Sequence, residues 1–491
     1  MKKFLSLVLV CVMIIGVLSI LSGCGSGEKD SESVTINWYM KKPVSDMSRQ
    51  KEVEDVANKI IFEKLGIRLS FHFIESAAWK DRLNILLSTG TNYDIVSLTG
   101  TEFITNAQKD CFLDIGDLVN KSGKSILEKS NDFVWDAAKI NGKLYGVPGQ
   151  NFYVPYSAFA YRKDVVEKYN FDYTNANTYS AAEPFLKQIK EKESGIVGFA
   201  ATANGAVSIP KSTDYSVTNL NFLCYDNKEQ DFKEKHFIKS FEDNYRGIYQ
   251  MAKNGYISPD AVSKNESLSE MKTGKYAIVN GRRDAEKSTN LYGFDCVESN
   301  PTYGVISTTD AILTVNSISA KSKHAKESIE LLNLIWEDTY LSNTLAYGIE
   351  GKDFIVDKGD IHNYKDINEI HITTNSGTDV KWSIWHNWLG PLWDQWGSTW
   401  NSRENLEAMK EINASAEVSP IIGFVVDPTP IKTEVAQITS IYTNAEQVFV
   451  TGSMNDFDKY MDEYKQKLKG AGIDAVIAEV NKQFEVWKSS K

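Results

Sequence analysis

The stretch VTINWYMKKPVSDMSRQKEVEDVANKIIFEKLGIRLSFHFIESAAWKDRLNILLSTGTNYDIVSL, residues 34–98, decides the fold. It opens with a strand at 34–39. Val53, Val56, Ala57, Ile60 and Ile61 then recur at helical spacing within 48–65, and Gly66 stands where a helix stops. Ile67, Leu69, Phe71 and Phe73 alternate as a second strand. Trp79, Leu83, Leu86 and Leu87 mark a second helix, ended by Thr89-Gly90. Residues 93–98 read as a third, buried strand. Strand–helix–strand–helix–strand implies right-handed crossovers and a largely parallel sheet, so the fold class is α/β. Ligands of such sheets bind beyond the carboxyl ends of the strands. Those ends carry Tyr39 and Lys41 after the first strand, and Thr99, Thr101, Glu102 and Phe103 after the third. For each charged residue the plain alternative is an ordinary solvated side chain.

Upstream, Lys2 and Lys3 precede an apolar run, 4–20, and then Leu21-Ser22-Gly23-Cys24. This is the layout of a secretory signal. The apolar core is too short, and its flanks are wrong, for a spanning helix. Residues 1–23 are therefore read as a lipoprotein signal peptide and 24–33 as a flexible polar tether. The small residues before Cys24 resemble the lipobox of bacterial lipoproteins, which implies cleavage before Cys24 and acylation of its thiol. The alternative is a general cleavage site with an incidental cysteine. No later apolar segment is long enough to cross a bilayer. The mature chain is expected on the extracytoplasmic side of the cell membrane, tethered by lipid and otherwise soluble.

The formal charge is −11, and losing Lys2 and Lys3 with the signal takes it to −13. So acidic a chain is a poor candidate for nucleic acid or anionic lipid. Of the five cysteines, Cys111, Cys224 and Cys296 remain after Cys11 and Cys24, with no zinc spacing. Three buried free thiols are expected, with one disulfide between two of them as the alternative.

Asn141-Gly142 signals a hairpin turn, and the aromatic run 152–161 suits a strand crossing between domains. Tyr153 and Tyr156 sit near that crossing. Residues 162–303 have the content of a second α/β domain, with helices near 183–193 and 237–254. The stretch 271–279 ends at Asn280-Gly281-Arg282-Arg283, so Arg282 and Arg283 follow a strand of the second domain. A strand at 311–315 precedes one long helix over 325–345, and two more helices close the chain. Between them, residues 382–400 hold six of the chain's eleven tryptophans. Sugars present flat C–H faces to aromatic rings and hydroxyl rims to polar groups. Helical spacing makes core packing the stronger reading for most of the six. Gly390-Pro391 interrupts the run, which favours Trp385, Trp388 and Trp393 as ligand contacts.

Further motifs carry a resemblance. They are Asn-Tyr-Asp-Ile-Val at 92–96, the turn at 141–148, Tyr161-Arg162-Lys163-Asp164, Gly255-Tyr256-Ile257-Ser258-Pro259-Asp260, Thr273-Gly274-Lys275, and Tyr347-Gly348-Ile349-Glu350-Gly351-Lys352. With Gly423-Phe424-Val425-Val426-Asp427 and the lipobox, the chain resembles the solute-binding lipoproteins of family 1, which include the maltodextrin-binding proteins. It is most similar to the longer Gram-positive LipO type. The resemblance implies a two-lobed, type II periplasmic-binding-protein-like fold with crossing segments and a hinge. It implies an N-terminal lobe of 34–153 with 311–375, a second lobe of 157–305 with part of 376–420, and a mainly helical C-terminal extension over 421–491. It also implies capture of an extracellular oligosaccharide for an ABC permease, by a monomer without cofactor, metal or enzymatic activity.

Two other classes stay open. No Gly-x-Ser-x-Gly elbow or phosphate loop is present, and the six histidines show no pair at metal-binding helical spacing. Carboxylates are abundant, so a secreted glycoside hydrolase is one alternative, because the separation of an acid pair is set in three dimensions. A peptide-binding lipoprotein is the other, since peptides also use aromatic pockets.

Overall fold

The computed structural model describes residues 33–89, 93–205, 208–265, 267–282 and 285–490. Cys24, the signal over 1–23, all but the last residue of the tether and Arg283 lie outside them. Among the described residues no helix is long and apolar enough to cross a membrane.

The first elements follow the alternation of the opening stretch: β1 (Thr35–Lys41), α1 (Gln50–Leu65), β2 (Arg68–Ile74), α2 (Trp79–Thr89) and β3 (Ile95–Thr99). β1 pairs in parallel with both β2 and β3. Gly66, at φ +68°, ends α1 in the left-handed region that a side chain disfavours. The short β4 (Val147–Pro148) is the last strand before the chain leaves this lobe. The second lobe holds β5 (Phe159–Arg162), α3 (Tyr179–Lys192), β6 (Val197–Phe199), α4 (Lys239–Lys253), β7 (Tyr276–Asn280) and β8 (Cys296–Glu298). Its sheet runs β8-β5-β7-β6.

The chain then returns to the first lobe as β9 (Thr314–Ile318), which lies antiparallel between β3 and β4. The first sheet is thus β2-β1-β3-β9-β4. β9 begins three residues later than the sequence suggests, because Ser307 and Asp310 form a capping box for a helical turn at Thr308–Ala311. The single helix expected over 325–345 is two, α5 (Ala325–Glu337) and α6 (Thr339–Tyr347). Asp338 divides them by accepting the Leu341 N–H at 2.9 Å.

Three segments cross between the lobes. Tyr156–Ser157 pairs antiparallel with Thr302–Tyr303. Ile306 then donates its N–H to Glu417 at 2.8 Å and accepts from Ser419 at 2.9 Å. So narrow a connection is where φ/ψ changes of a hinge can concentrate.

Two cores lie on either side of this connection. The first gathers Ile36, Trp38, Phe71, Leu98, Ile335 and Trp336, and also Trp382, Ile384 and Leu389. The stretch 382–389 therefore packs with the first lobe. The second core gathers Phe159, Phe185, Phe199 and Tyr245 with the C-terminal helices α7 (Lys432–Phe449), α8 (Phe457–Gly470) and α9 (Ile473–Ser489). Phe484 of α9 sits 5.3 Å from Phe232 and 5.5 Å from Tyr225, ring centre to ring centre. The extension is thus a wall of the second lobe rather than an appendage. Cys111, Cys224 and Cys296 are free thiols.

A buried ionic cluster joins that wall to the lobe. His236 Nδ1 lies 2.8 Å from Glu234, and its Nε2 lies 2.9 Å from Glu446 of α7, within ion-pair reach although bent off the ideal hydrogen-bond line. Lys235 and the Tyr245 hydroxyl also bind Glu446, at 3.1 and 2.8 Å. Burial alone would lower the His236 pKa, but Glu234 and Glu446 outweigh it and hold the ring above its usual 6.5. Burial would raise Glu446, but His236 and Lys235 pull it down to about 2. The His236 contribution to stability is complete below pH 6.5 and is lost as pH rises through the raised folded value. The Glu446 contribution is complete above pH 4.5 and is lost as pH falls toward about 2. Thermal unfolding across pH is expected to show greatest stability from these groups between about 4.5 and 6.5. Glu446→Gln is expected to cost roughly 3 kcal/mol or more at pH 6, because it strands a buried cation.

Candidate functional site

A cleft of about 930 Å³ lies between the lobes. Its floor is the first crossing segment, including Asn151, Tyr153 and Tyr156, and most of its wall comes from residues 374–401. Lys211 enters from the second lobe.

The wall is largely irregular. Only His386–Leu389 makes an α-helical turn, and Gly390 ends it at φ +124°. A Cβ on Gly390 would sit 2.0 Å from Trp336 Nε1, so glycine is required there for space as well as conformation. This breaks what reads in sequence as a helical tryptophan stripe, and the six rings go separate ways. Trp382 is buried in the first core and donates Nε1 to the Leu345 carbonyl at 2.9 Å. Trp393 packs on Leu406 and Met409, Trp396 on Phe354 and Ile372, and Trp388 against the first core. Trp385 and Trp400 are 60% and 63% exposed, and both line the cleft. An exposed indole in a concave site is the exception that points to a ligand.

Buried amides hold the wall in place. Asn343 Nδ2 donates to the carbonyls of Thr339 and Asp394, both at 2.8 Å. Its Oδ1 therefore faces the Trp396 N–H at 2.9 Å and His386 Nε2 at 3.1 Å. That geometry assigns the proton of His386 to Nε2, and burial pushes its pKa down to about 3, so the ring is neutral. Gln150 accepts the Trp393 N–H at 3.1 Å and donates to the Lys129 carbonyl at 2.7 Å. Asn151 accepts from Asn387 at 2.9 Å, and Asn413 donates to the Asn151 carbonyl at 2.7 Å.

The open surface is rich in hydroxyls and amides: Asn375, Ser376, Ser383, Asn387 and Asn401 all line it. Its charges are mostly neutralised locally. Lys381 pairs with Asp46 at 3.0 Å, and the Ser48 backbone N–H together with Lys381 holds the Asp46 carboxyl down at about 2. Asp353 is tied to Arg49 at 3.3 Å and to the Ile349 N–H at 3.0 Å. Lys211 and Asp310 remain near the floor.

Of the residues singled out from sequence, the structure brings Tyr153, Tyr156 and Trp385 to the cleft. Tyr153 is nevertheless almost wholly buried; its hydroxyl donates to the Gly149 carbonyl at 3.2 Å, and burial raises its pKa above the usual range. Tyr39, Lys41, Thr99, Glu102, Arg282, Trp388 and Trp393 do not line the cleft. Tyr39 stacks on His72 with ring centres 4.4 Å apart. Glu102 is used locally. One oxygen accepts from Trp79 Nε1 at 2.6 Å, and the other accepts from the Thr99 N–H and hydroxyl at 2.9 and 2.8 Å. These two residues form a capping box for the Gly100–Ala107 helix. Arg282 is exposed, and its N–H donates to Glu298 at 2.6 Å. Trp400 escaped the sequence reading because its four-residue spacing from Trp396 mimics a helical core pair.

Residues 63–343 match the model of a family described as bacterial extracellular solute-binding protein. Residues 420–489 match a domain of unknown function (DUF3502). A carbohydrate ABC transporter substrate-binding protein from Streptococcus pneumoniae serotype 4 is 28% identical over 443 residues, 89% of this chain and 87% of that protein. Among solved structures, the N-glycan transport solute binding protein NgtS from S. pneumoniae shares the fold at TM-score 0.80 and 24% identity, covering 94% of this chain and 100% of that one. NgtS in complex with Man5GlcNAc matches at TM-score 0.67 and 24% identity, over 94% and 99%. An extracellular solute-binding protein from Bifidobacterium longum subsp. infantis matches at TM-score 0.65 and 14% identity, over 92% and 98%.

Removing the Asn343 amide orphans the donors of His386 and Trp396 and two carbonyls in the interior. Asn343→Ala is expected to cost ~2 kcal/mol or more, read by chemical denaturation. Its tryptophan emission is expected to change in the native baseline as the wall loosens.

Proposed function

This chain belongs to the bacterial extracellular solute-binding protein family, and on that premise we propose that it captures an extracellular oligosaccharide for an ABC importer. The observation that carries this reading is the pair of exposed indoles, Trp385 and Trp400, in a hydroxyl- and amide-lined cleft between two lobes. Indole faces pack against the C–H faces of sugars, and the amides and hydroxyls of the wall bond sugar hydroxyls. The volume is at the upper end for small-molecule sites, which suits several sugar rings. The relative named as a carbohydrate transporter component, and the neighbour named for N-glycan transport, support the same substrate class.

In this reading the ligand touches both lobes and therefore favours a closed arrangement about the hinge. A membrane permease then takes the solute from the closed form. The protein is held outside the membrane by acyl chains on Cys24 and acts as a monomer.

Binding without turnover fits the cleft better than hydrolysis. Two carboxylates line it, Asp353 and Asp310. Asp353 is locked in an ion pair with Arg49, which leaves Asp310 without a second free carboxylate in the cleft. The two do not make the free acid–base pair that a glycoside hydrolase needs.

The test is a thermal-shift and calorimetric screen of residues 34–491 against oligosaccharides, peptides and polyamines, with Man5GlcNAc included. An oligosaccharide at ~100 times its Kd should stabilise the fold by about 2.7 kcal/mol. Trp385→Ala and Trp400→Ala are each expected to weaken binding roughly tenfold while leaving the unliganded Tm nearly unchanged, since both rings are exposed. Response to peptides alone, or consumption of the glycan, would overturn the reading. For the anchor, Cys24→Ser is expected to release folded, ligand-competent protein from membranes; retention in the membrane fraction would contradict acylation at Cys24.

A further inference from the structure

Near the cleft floor lie two charges that nothing in the protein joins. Lys211 is half-buried, and its side chain opens on the cleft. Among the described residues its ammonium has neither hydrogen bond nor ion pair. Burial, and then repulsion from Lys235, lower its pKa below 10.5, and Asp310 offsets them only in part. Lys235 gives the contrast. Its ammonium is bound by Glu446 at 3.1 Å and by the Tyr442 hydroxyl at 3.0 Å, and its pKa is raised despite burial.

Asp310 is the complement. Its Oδ2 accepts the Ser307 N–H at 3.0 Å and the Ser307 hydroxyl, while Oδ1 takes no donor from the described residues. Burial raises its pKa, partly offset by Ser307 and Lys211. The two groups feel each other's charge but are too far apart for an ion pair. They also stand on different sides of the hinge. Lys211 belongs to a second-lobe loop whose N–H donates to Thr302 of a crossing strand at 2.8 Å. Asp310 closes the helical turn through which the chain returns to the first lobe.

An ammonium that opens on a cleft with no protein acceptor of its own leaves its hydrogen-bonding capacity for a ligand. We propose that Lys211 and Asp310 form a donor–acceptor pair bridged by a ligand hydroxyl, so that one sugar ring is clamped across the hinge. A hydroxyl accepts from the ammonium and donates to the carboxylate at the same time. An anion would meet Asp310, and a cation would meet Lys211, so the pair favours a neutral polyol over a uronate or an amine. The inference rests on the oligosaccharide reading above and deepens it. It makes these two residues specificity determinants that link binding to lobe closure.

The test uses residues 34–491 with Man5GlcNAc as probe, and it compares Lys211→Met, Asp310→Asn and the double variant by calorimetry. Each single variant is expected to lose about tenfold or more in affinity, as for a hydrogen bond to a charged group. The double variant should lose little more than either single one, because one bridge is being removed twice. The unliganded Lys211→Met protein should melt close to the wild-type temperature, since the ammonium makes no bond within the described residues. A Lys211→Met protein that binds with wild-type affinity, or one that melts several degrees lower without ligand, would overturn the clamp. Tighter binding of a uronate-bearing oligosaccharide than of Man5GlcNAc would overturn its preference for neutral ligands. If the wild type binds the glycan and Lys211→Met binds it equally, only the clamp fails; if the wild type binds no glycan, the oligosaccharide reading fails with it.

Discussion

The contact on which the rest depends is the amide pair between Asn151 in the first crossing segment and Asn387 in the tryptophan-rich wall, 2.9 Å apart. Asn151 is buried and fully engaged. Its Nδ2 reaches the Gly149 carbonyl at 3.0 Å and the Thr314 hydroxyl at 3.1 Å, and that hydroxyl donates to the Asn387 carbonyl at 2.7 Å. Gly149 is what lets the two backbones meet: a Cβ there would stand 2.0 Å from the Asn387 carbonyl oxygen. Hydrogen bonds of this kind gain strength in a low dielectric, and an unmatched partner is costly there. The crossing segment, β9 and the aromatic wall are thus one unit. In the proposed closure the wall would stay with the first lobe, and the second lobe would bring Lys211 toward it.

This arrangement explains why so few of the tryptophans face the cleft. Segment 382–400 has little regular secondary structure to fix it, so its position comes from side chains. Trp382, Trp393 and Trp396 are driven into three separate cores, and they hold Trp385 and Trp400 in the open as a consequence. The rings that face the cleft and the rings that pack are alike in sequence and differ only in which part of an irregular path each occupies.

The same contrast marks how much the sequence disclosed. The opening alternation was legible because Val53, Ala57 and Ile61 keep helical period and Leu69 and Phe71 keep strand period, and all are buried as that period requires. The helical extension was legible for the same reason, from Phe457, Tyr464, Leu468, Val476, Val480 and Phe484. What stayed hidden depends on partners distant in the chain. The antiparallel insertion of β9 follows from the chain returning from another lobe, which no local pattern records. Thr99 and Glu102 occupy the strand end where ligands are expected, but a capping box and Trp79 consume them. Lys211 stands out only when Lys235 is seen to have the partner it lacks.

The C-terminal helices brace the second lobe. They complete its core through Phe232, Phe424 and Phe484, and they seal the His236 cluster from solvent. In the proposed capture, a rigid lobe on a narrow three-segment hinge would convert a few contacts in the cleft into a rotation of the whole. Small-angle X-ray scattering of residues 34–491, before and after saturation with Man5GlcNAc, tests that account most directly. A smaller radius of gyration with the glycan bound is the predicted result; an unchanged scattering profile at saturation would contradict capture by lobe closure.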